Sequence, residues 1–438
     1  MSALDPLLEA PWWIELFWGV GVLAVATAIV SLFFSLGRRP PAVAITEAPP
    51  VGDPDFLNAA AGLVNGVLET GGRARLLNNG DEIFPALLAD VRSAQHSVNW
   101  LAYIWEPGRC SDQVFAALVE RARAGVEVRV MLDGLGGMRC PGEGKDELKR
   151  AGGRIGIFRP LRWGKITRFY KRNHRRAIVV DGKVGYTGGV AVGDKWLGNA
   201  RGPAEWRDTM VRVTGGMARN LQSHFAEDWA AVTGEILVGD AFYPLGDDEG
   251  SDGSPPIRHT AVASSPGSEQ HPMRYFFLLT CRAARRKLYL ASPYFVPDEH
   301  TRKAVARLAG AGVDVRILLP NEHTDAKPIR LASHHYYDEL LCAGVRIWEY
   351  QPTMMHAKLT VVDGCFSIVG SANMDIRSKE LNEENVLGIL DPGLAAAIET
   401  TFLADLERSR EIRLAPWRKR GPGQRVLERL AVMFAEQF

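Results

Sequence analysis

An internal repeat constrains the fold of this chain more than any other feature of its sequence. The phrase AGVEVRVML, which begins at Ala124, returns as AGVDVRILL from Ala311. An amphipathic helical pattern precedes each copy, and a helical stretch ending on a glycine turn follows it, LKRAGGRIGIF from Leu148 and LLCAGVRIWEY from Leu340. Because several consecutive elements match in order, we interpret the chain as a duplication and not as chance likeness between α/β segments.

Each repeat alternates short β-branched runs with helical patterns. This alternation is typical of an α/β sandwich, in which helices cover both faces of a sheet. The length of 438 residues exceeds what one core usually holds and leaves room for two such units after an apolar start. A stretch rich in glycine, serine, aspartate and proline separates the halves. We therefore predict two α/β domains, 56–243 and 260–438, joined by a linker over 244–259.

The N-terminal region predicts a membrane anchor. The uncharged run 16–36 is long enough to cross a hydrocarbon core of about 30 Å as one helix. Acidic residues precede the run, whereas a cleaved signal peptide needs a basic start. Arg38 and Arg39 follow it, which places everything downstream in the cytoplasm. We predict an N-terminal segment with one transmembrane helix over 1–39 and an extended, proline-rich tether over 40–55.

The composition argues against several other classes of protein. The five cysteines are widely spaced and form no C-x-x-C pair, so neither a disulfide framework nor a zinc site is expected. A hydrophobic fraction of 46% and a charged fraction of 24% are ordinary for globular proteins. The net charge of +1 does not indicate a polyanionic partner, so any electrostatic argument depends on local clusters of charge.

The second half contains the motif H-x-K-x4-D, formed by His356, Lys358 and Asp363. Side chains alternate along a strand, so His356 and Lys358 point to the same face. A phosphodiester needs this pair, because imidazole attacks phosphorus or protonates the leaving oxygen while fixed cations neutralise the other oxygens. Further along the chain, Asn373 would donate a hydrogen bond to phosphate, and Glu384 would orient an imidazole through its other nitrogen.

The first half has a related motif at the same spacing, with His174, Arg176 and Asp181. Arginine can grip a phosphate through two parallel hydrogen bonds but fills more space than lysine. Ala191 stands where the second half has an asparagine, so one phosphate donor is missing from this copy. The segment EWRDT supplies two candidate carboxylates for orienting an imidazole, Glu205 and Asp208.

A single histidine is most often a structural residue. Two histidines at matching points of a repeat, each followed by a cation and an aspartate, instead favour one shared site. The aspartates, Asp181 and Asp363, each precede a glycine at a strand end. We expect them to support the site as turn residues and not to react.

With these motifs the chain resembles the phospholipase D superfamily, whose mark is a duplicated H-x-K-x4-D, and within it the bacterial cardiolipin synthases. The resemblance runs from about residue 75 to the C-terminus through GDEIFPALL, WRDTMVRV, SPYFVPD, EYQPTMMHAKLTVVDG and GSANMDIRSKELNEEN. It implies two phospholipase D-type sandwich domains packed face to face, an active site between them, a phosphohistidine intermediate and no metal or other cofactor. It also implies that His174 is the nucleophile, and His356 would then be the general acid.

A basic segment over 159–176 leads into the first histidine and contains no acidic residue. Near a bilayer, such a segment would attract anionic lipid headgroups. A nucleic-acid groove or an ordinary solvated loop uses the same residue types. The predicted anchor favours lipid, and the resemblance implies that the lipid is phosphatidylglycerol. We therefore expect phosphatidylglycerol and a membrane as partners, and no nucleic acid.

The C-terminal segment places apolar residues at helical spacing beside basic ones, at Val426, Leu427, Leu430, Met433 and Phe434. Either a helix that lies on a membrane surface or a helix packed on the second domain fits this pattern. We expect the packed helix, because it is the commoner arrangement.

The resemblance implies transfer of a phosphatidyl group from one phosphatidylglycerol to another, with release of glycerol, and the predicted anchor places this reaction at the inner membrane of a bacterial cell. A hydrolase acting on phospholipid or nucleic acid would use the same histidines with water as the acceptor. A catalytically silent lipid-binding protein is a second alternative, because Arg176 and Ala191 depart from the family pattern. The motifs do not identify the acceptor.

Overall fold

In a computed structural model, the chain forms two compact units, Met1–Ala44 and Ile45–Phe438. Both repeats lie in the second unit. Within the described part of the chain, no helix has the length and apolar composition that crossing a membrane requires. Most of the predicted anchor, 16–36, lies outside that part. The described residues are 45, 47–160, 171–244, 256–265 and 271–434, with scattered positions between 16 and 26.

The first half forms a mixed sheet of seven strands. Its elements, with the two that precede them, are α1 (Pro54–Leu63), β1 (Leu68–Thr70), β2 (Ala74–Asn78), α2 (Asn79–Ser93), β3 (Ser97–Ala102), α3 (Arg109–Arg123), β4 (Glu127–Asp133), α4 (Gly142–Arg150), β5 (Arg154–Phe158), β6 (Ala177–Val180), β7 (Val184–Gly188), a short 3-10 helix (Asp194–Trp196), β8 (Thr209–Thr214) and α5 (Gly216–Thr233). The strand order is β2-β8-β7-β6-β3-β4-β5, and β3, β4 and β5 run parallel. Strands β3 and β6 are buried along their whole length, as expected for apolar strands covered on both faces.

The second half repeats this arrangement in a sheet of nine strands. Its elements are β9 (Arg258–Ser264), α6 (Pro272–Ala283), β10 (Lys287–Ala291), β11 (Phe295–Val296), α7 (Glu299–Gly310), β12 (Asp314–Pro320), α8 (Lys327–Cys342), β13 (Arg346–Tyr350), β14 (Leu359–Val362), β15 (Phe366–Gly370), β16 (Met374–Asp375), α9 (Ile376–Glu380), β17 (Glu384–Leu390), α10 (Pro392–Glu407), β18 (Ser409–Ile412), α11 (Leu414–Arg418) and α12 (Pro422–Phe434). The order is β1-β9-β17-β15-β14-β10-β12-β13-β18.

The pairing of the strands confirms the predicted duplication. Strands β10, β12 and β13 run parallel like β3, β4 and β5, and β14 pairs with β10 as β6 pairs with β3. Each motif histidine lies just before the matching antiparallel strand, His174 before β6 and His356 before β14. The repeat therefore places both histidines at the same end of their sheets.

The two sheets face each other across α5 and α10. One hydrophobic core contains strand residues from both halves, such as Val179 and Val361, together with Phe225 of α5 and Phe402 of α10. Separate cores lie between each sheet and its outer helices. This order of layers gives the mixed α/β fold of two repeated halves that the sequence predicts.

The start of this unit packs on the second half and not on the first. Strand β1 pairs antiparallel with β9, and the ring of Phe56 in α1 meets that of Phe366 edge-on at 5.0 Å. Val51, within the predicted tether, is fully buried in the same core. Residues before position 56, where the first domain was expected to start, are therefore already packed, and they pack on the second half. An apolar helix face does not reveal in sequence which sheet it covers. The predicted linker also ends earlier, since β9 begins at Arg258.

Candidate active site

The backbone of each half holds the histidine of the other half. The amide of His174 donates to the carbonyl of Glu383 at 2.9 Å, and the amide of His356 donates to the carbonyl of Arg207 at 2.7 Å. Single parallel β-bridges accompany these bonds. Both motifs are therefore fixed at the seam between the halves, where the sequence predicts one shared site.

The carboxylates that orient the two imidazoles are also exchanged between the halves. His174 Nδ1 lies 2.9 Å from Glu384 Oε1, and His356 Nδ1 lies 2.7 Å from Asp208 Oδ2. A carboxylate at Nδ1 fixes the tautomer that carries its proton there, which leaves Nε2 of each ring available to a substrate. The crossed pairing makes each half incomplete without the other.

Two serine hydroxyls hold the carboxylate of Glu384. Ser371 Oγ donates to Oε2 at 2.5 Å, and Ser378 Oγ donates to Oε1 at 2.7 Å. Burial acts to raise the pKa of Glu384, but the imidazole of His174 and the two serines outweigh burial and lower that pKa overall. Glu384 is therefore an anion next to His174 at neutral pH.

Asp208 is held by an indole and by its neighbouring backbone. Trp196 Nε1 donates to Oδ2 at 3.0 Å, and the amide of Thr209 donates to Oδ1 at 2.8 Å. A Cβ at Gly189 would stand 2.2 Å from Asp208 Oδ1, so this approach requires glycine. Glu205, the other candidate carboxylate of this segment, lies outside the site and accepts hydrogen bonds from loop amides.

Two buried cations lie beside the imidazoles. Arg176 Nη1 donates to the carbonyl of His174 at 2.8 Å, while its buried Nη2 has no hydrogen-bond partner among the described residues. Lys358 Nζ donates to the carbonyl of His356 at 3.0 Å and lies 3.3 Å from Nε2 of that ring. A buried donor without an acceptor costs free energy, so Arg176 Nη2 marks a place for an anionic oxygen.

Asn373 and Ala191 stand at matching positions of the two repeats. Asn373 is buried, and its backbone N–H donates to Ser378 Oγ at 3.1 Å. Its side-chain Oδ1 lacks a hydrogen-bond partner within the described ranges. Ala191 is buried in the core of the first half. The two halves therefore differ in polar groups at this turn, as their sequences indicate.

Burial and neighbouring cations depress the pKa values of the basic groups in the site. Burial, reinforced by Lys358, lowers the pKa of His356 to about 4. Burial also lowers the pKa of His174, which Glu384 opposes and Arg176 reinforces. The pKa of Lys358 falls to about 8, chiefly through burial, with Arg176 contributing from the other half. Because charges in one half act on groups in the other, the two motifs form one electrostatic site.

Four aromatic residues in the site were not predicted as functional. Tyr103 meets the His174 ring edge-on at 4.9 Å, and Tyr294 meets that of His356 at 6.4 Å. Trp196 and Trp206 contact the other sides of His356 at 5.7 and 5.3 Å. The repeat contained the signal for the tyrosines, because Tyr103 and Tyr294 both lie in the turn that follows the first parallel strand of their half, β3 and β10.

The basic segment before His174 is less available to a ligand than its composition indicates. Arg172 is buried in an ion pair with Asp133, and Arg175 is buried in ion pairs whose partners include Asp228. These two arginines belong to the segment that was expected to attract anionic lipid headgroups, and instead they join elements of the fold. Residues 161–170 of the segment lie outside the described part of the chain.

The motif aspartates lie at the far ends of β6 and β14 from the histidines and do not belong to the site. Asp181 and Asp363 adopt positive φ values of 52° and 53°. Each carboxylate accepts three consecutive backbone amides at the start of the neighbouring strand, from Gln95, His96 and Ser97 in the first half and from Arg285, Arg286 and Lys287 in the second. We considered both aspartates as site residues that support the histidines without reacting; instead each carboxylate clamps the start of the neighbouring strand, β3 or β10, away from the histidines.

We expect Asp363→Ala to destabilise the fold by about 1–3 kcal/mol, because it leaves backbone amides without acceptors. Activity per folded molecule should stay within a few-fold of wild type. Thermal unfolding and turnover of the purified full-length protein measure the two effects, and Asp363→Asn, which keeps one acceptor oxygen, should lose less stability. Lost turnover at unchanged stability would contradict the structural role.

Comparisons with known proteins identify the family and the fold. Residues 87–229 and 279–406 match the family described as "Cardiolipin synthase, PLD-like domain". Cardiolipin synthase 1 of Bacillus cereus is 34% identical over 363 residues, covering 81% of this chain and 70% of that protein. A cardiolipin synthase of Geobacillus kaustophilus is 37% identical over 312 residues, covering 70% and 61%. The crystal structure of a phosphatidylserine synthase from Haemophilus influenzae, 14% identical, shares the fold with a TM-score of 0.65 over 87% of this chain and 98% of that chain.

Proposed function

Since this chain belongs to the cardiolipin synthase family with a phospholipase D-like domain, we propose that it transfers a phosphatidyl group between two phosphatidylglycerol molecules and releases glycerol. The observation that carries the proposal is the crossed pair of imidazole–carboxylate contacts, His174 with Glu384 and His356 with Asp208, beside two buried cations. This arrangement offers a nucleophile, an acid and charge neutralisation to a single phosphodiester.

In the first half-reaction, Nε2 of His174 attacks phosphorus while the bond from phosphorus to the glycerol oxygen breaks. His356 donates the proton that this oxygen takes, so glycerol leaves neutral. The bound phosphodiester is an anion, and its charge raises the pKa of His356 from the low value of the free site. Glu384 stabilises the positive charge that develops on His174 as the nitrogen–phosphorus bond forms.

The second half-reaction reverses these roles with a new acceptor. A glycerol hydroxyl of the second phosphatidylglycerol gives its proton to His356 and attacks the phosphohistidine, which releases cardiolipin and restores His174. Both imidazoles are buried, which favours a lipid alcohol over bulk water as the acceptor. Phosphate oxygens would be held by Arg176 Nη2 and Lys358 Nζ throughout.

This function is tested by identifying the products that the protein forms from phosphatidylglycerol with a label in its phosphate. The full-length protein should form cardiolipin with one glycerol released per cardiolipin, and the His356→Ala variant should form cardiolipin at least about 10²-fold more slowly. Phosphatidic acid without cardiolipin would show a hydrolase and overturn the proposal. An unchanged lipid with wild-type protein would instead support a silent binding protein.

The depressed pKa of Lys358, about 8, predicts an alkaline limit of activity. As the pH rises through this value the ammonium loses its proton, and a cation that neutralises phosphate is lost. We expect kcat/KM, which reports groups of the free enzyme, to fall above about pH 8. The Lys358→Arg variant should be slower, but its kcat/KM should not fall above pH ~8, because the guanidinium stays protonated. An alkaline limb that stays in place in the variant would contradict the assignment.

We further propose that 16–36 is a single transmembrane helix at the inner membrane of a bacterial cell, with the catalytic halves in the cytoplasm. The uncharged run and the two arginines that follow it support this topology. Added protease should cleave the catalytic halves in inverted membrane vesicles and spare them in intact spheroplasts, with a periplasmic protein as the control for access. Cleavage in intact spheroplasts would refute this orientation.

A further inference from the structure

The C-terminal helix α12 packs on α8 through its least apolar face. Glu428 is 2% exposed, and its carboxylate accepts two hydrogen bonds from Arg420 at 2.9 and 3.1 Å. Ala431 and Val432 complete this face and pack on a small core that includes Tyr336. The inward face of the helix therefore consists of a paired charge and two aliphatic residues.

The apolar stripe of α12 faces away from the protein. Val426, Leu427, Leu430 and Met433 are 55%, 56%, 48% and 59% exposed. At about 100° per residue, these four positions share one side of the helix, roughly opposite Glu428. The sequence predicts a helix packed on the second domain, and the structure has that helix with its apolar side turned outward. A contiguous exposed apolar stripe indicates a binding surface.

The charged residues beside this stripe are mostly basic. Lys419, Arg425 and Arg429 are exposed, whereas Arg418 is paired with Asp338 of α8 at 2.8 Å. Glu428, the one acidic residue in 412–434, is buried and paired with Arg420. Basic residues beside an apolar helical stripe fit an anionic bilayer, in which headgroups meet the cations and acyl chains meet the stripe. A second copy of the same face would bring like charges together.

The helix lies next to the active site. Ala431 and Val432 pack on the cluster that also contains Tyr294. The ring of Tyr294 is 6.4 Å from that of His356, and its hydroxyl donates to Asp325 at 2.9 Å. Two layers of side chains, the small core and Tyr294, therefore separate α12 from His356 of the second motif.

We propose that α12 is a docking surface for an anionic bilayer and that it holds the second motif of the active site close to the lipid headgroups. The inference deepens the proposed function and rests on it only for the role of the docked lipid as substrate. The outward stripe and the exposed cations beside it, Lys419, Arg425 and Arg429, support docking independently of any reaction.

Local depth measurements test the docking without using turnover. An environment-sensitive fluorophore is attached at Leu430→Cys in full-length protein carrying His356→Ala, with Cys342 and Cys365 replaced by serine, in vesicles of phosphatidylglycerol and phosphatidylcholine. Doxyl-labelled lipid should quench it at least about threefold more than a fluorophore at Val238→Cys, which is 72% exposed in the wild type. Quenching by aqueous iodide alone, or protection from both quenchers by a second copy or another protein, would overturn the proposal.

A kinetic comparison links docking to the reaction. The variant Leu427→Glu with Leu430→Glu should lose about tenfold or more of its rate on vesicular phosphatidylglycerol, because two charges enter the apolar stripe. Its rate on monomeric short-chain phosphatidylglycerol should stay within about twofold of wild type, which also shows that the fold is intact. The matched control, Ile236→Glu with Val238→Glu, changes an equally exposed apolar pair and should affect neither rate. Equal losses on both substrates, or no loss on either, would contradict docking by α12.

Discussion

Replacing His174 by alanine is expected to abolish both lipid transfer and covalent labelling of the protein, with turnover lower by about 10⁴-fold or more. The His174 Nδ1 contact with anionic Glu384 leaves Nε2 free and stabilises the charge that forms during attack. Replacing His356 removes the acid and should cost about 10²–10⁴-fold, with label still trapped on His174. Brief incubation with phosphate-labelled phosphatidylglycerol, alkaline quenching and peptide mapping measure the label.

His334 is the matched control for this experiment. It is also a buried histidine, and its Nε2 lies 3.0 Å from a carboxylate oxygen of Glu349, but it lies outside the site on α8. His334→Ala should keep its label and most of its turnover per folded molecule. Label retained in His174→Ala and absent from His356→Ala would reverse the assignment of nucleophile and acid.

Local patterns were sufficient to predict the architecture of each half. Repeated phrases such as those at Ala124 and Ala311 specify the same strand and helix twice, and the parallel strands β4 and β12 begin at equivalent positions of the two copies. His356 and Lys358 lie just before β14 and not within a strand, but the two side chains are close as expected, with Lys358 Nζ 3.3 Å from the ring Nε2. These properties depend on residues that are close together along the chain, so they can be predicted from a single sequence.

Contacts between the halves could not be predicted in the same way. The partner of His356 is Asp208, 148 positions away in sequence, and the docking of two folded halves sets that pairing. The same limit applies to α1, whose Phe56 packs on the second half. The clamp role of Asp181 depends on a positive φ and on three amides of another strand. None of these leaves a local pattern in the sequence.

Because each carboxylate contacts the histidine of the other half, variants of Asp208 and Glu384 should differ in covalent labelling. Pairing within each half would predict the opposite labelling pattern. Asp208→Asn and Glu384→Gln should each lower turnover by about 10²–10⁴-fold, because an amide no longer fixes the imidazole tautomer or stabilises its charge. They should differ in labelling. Asp208 acts on His356, so Asp208→Asn should still trap label on His174, as His356→Ala does. Glu384 acts on His174, so Glu384→Gln should lose the label.

Glu205→Gln is the control for the first of these variants, because Glu205 lies in the same segment as Asp208 and bonds only loop groups. Its turnover and labelling should match wild type. If each carboxylate instead served the histidine of its own half, Asp208→Asn would lose the label and Glu384→Gln would keep it. The labelling pattern therefore separates the two arrangements even though both variants are slow, and it does so in the intact full-length protein.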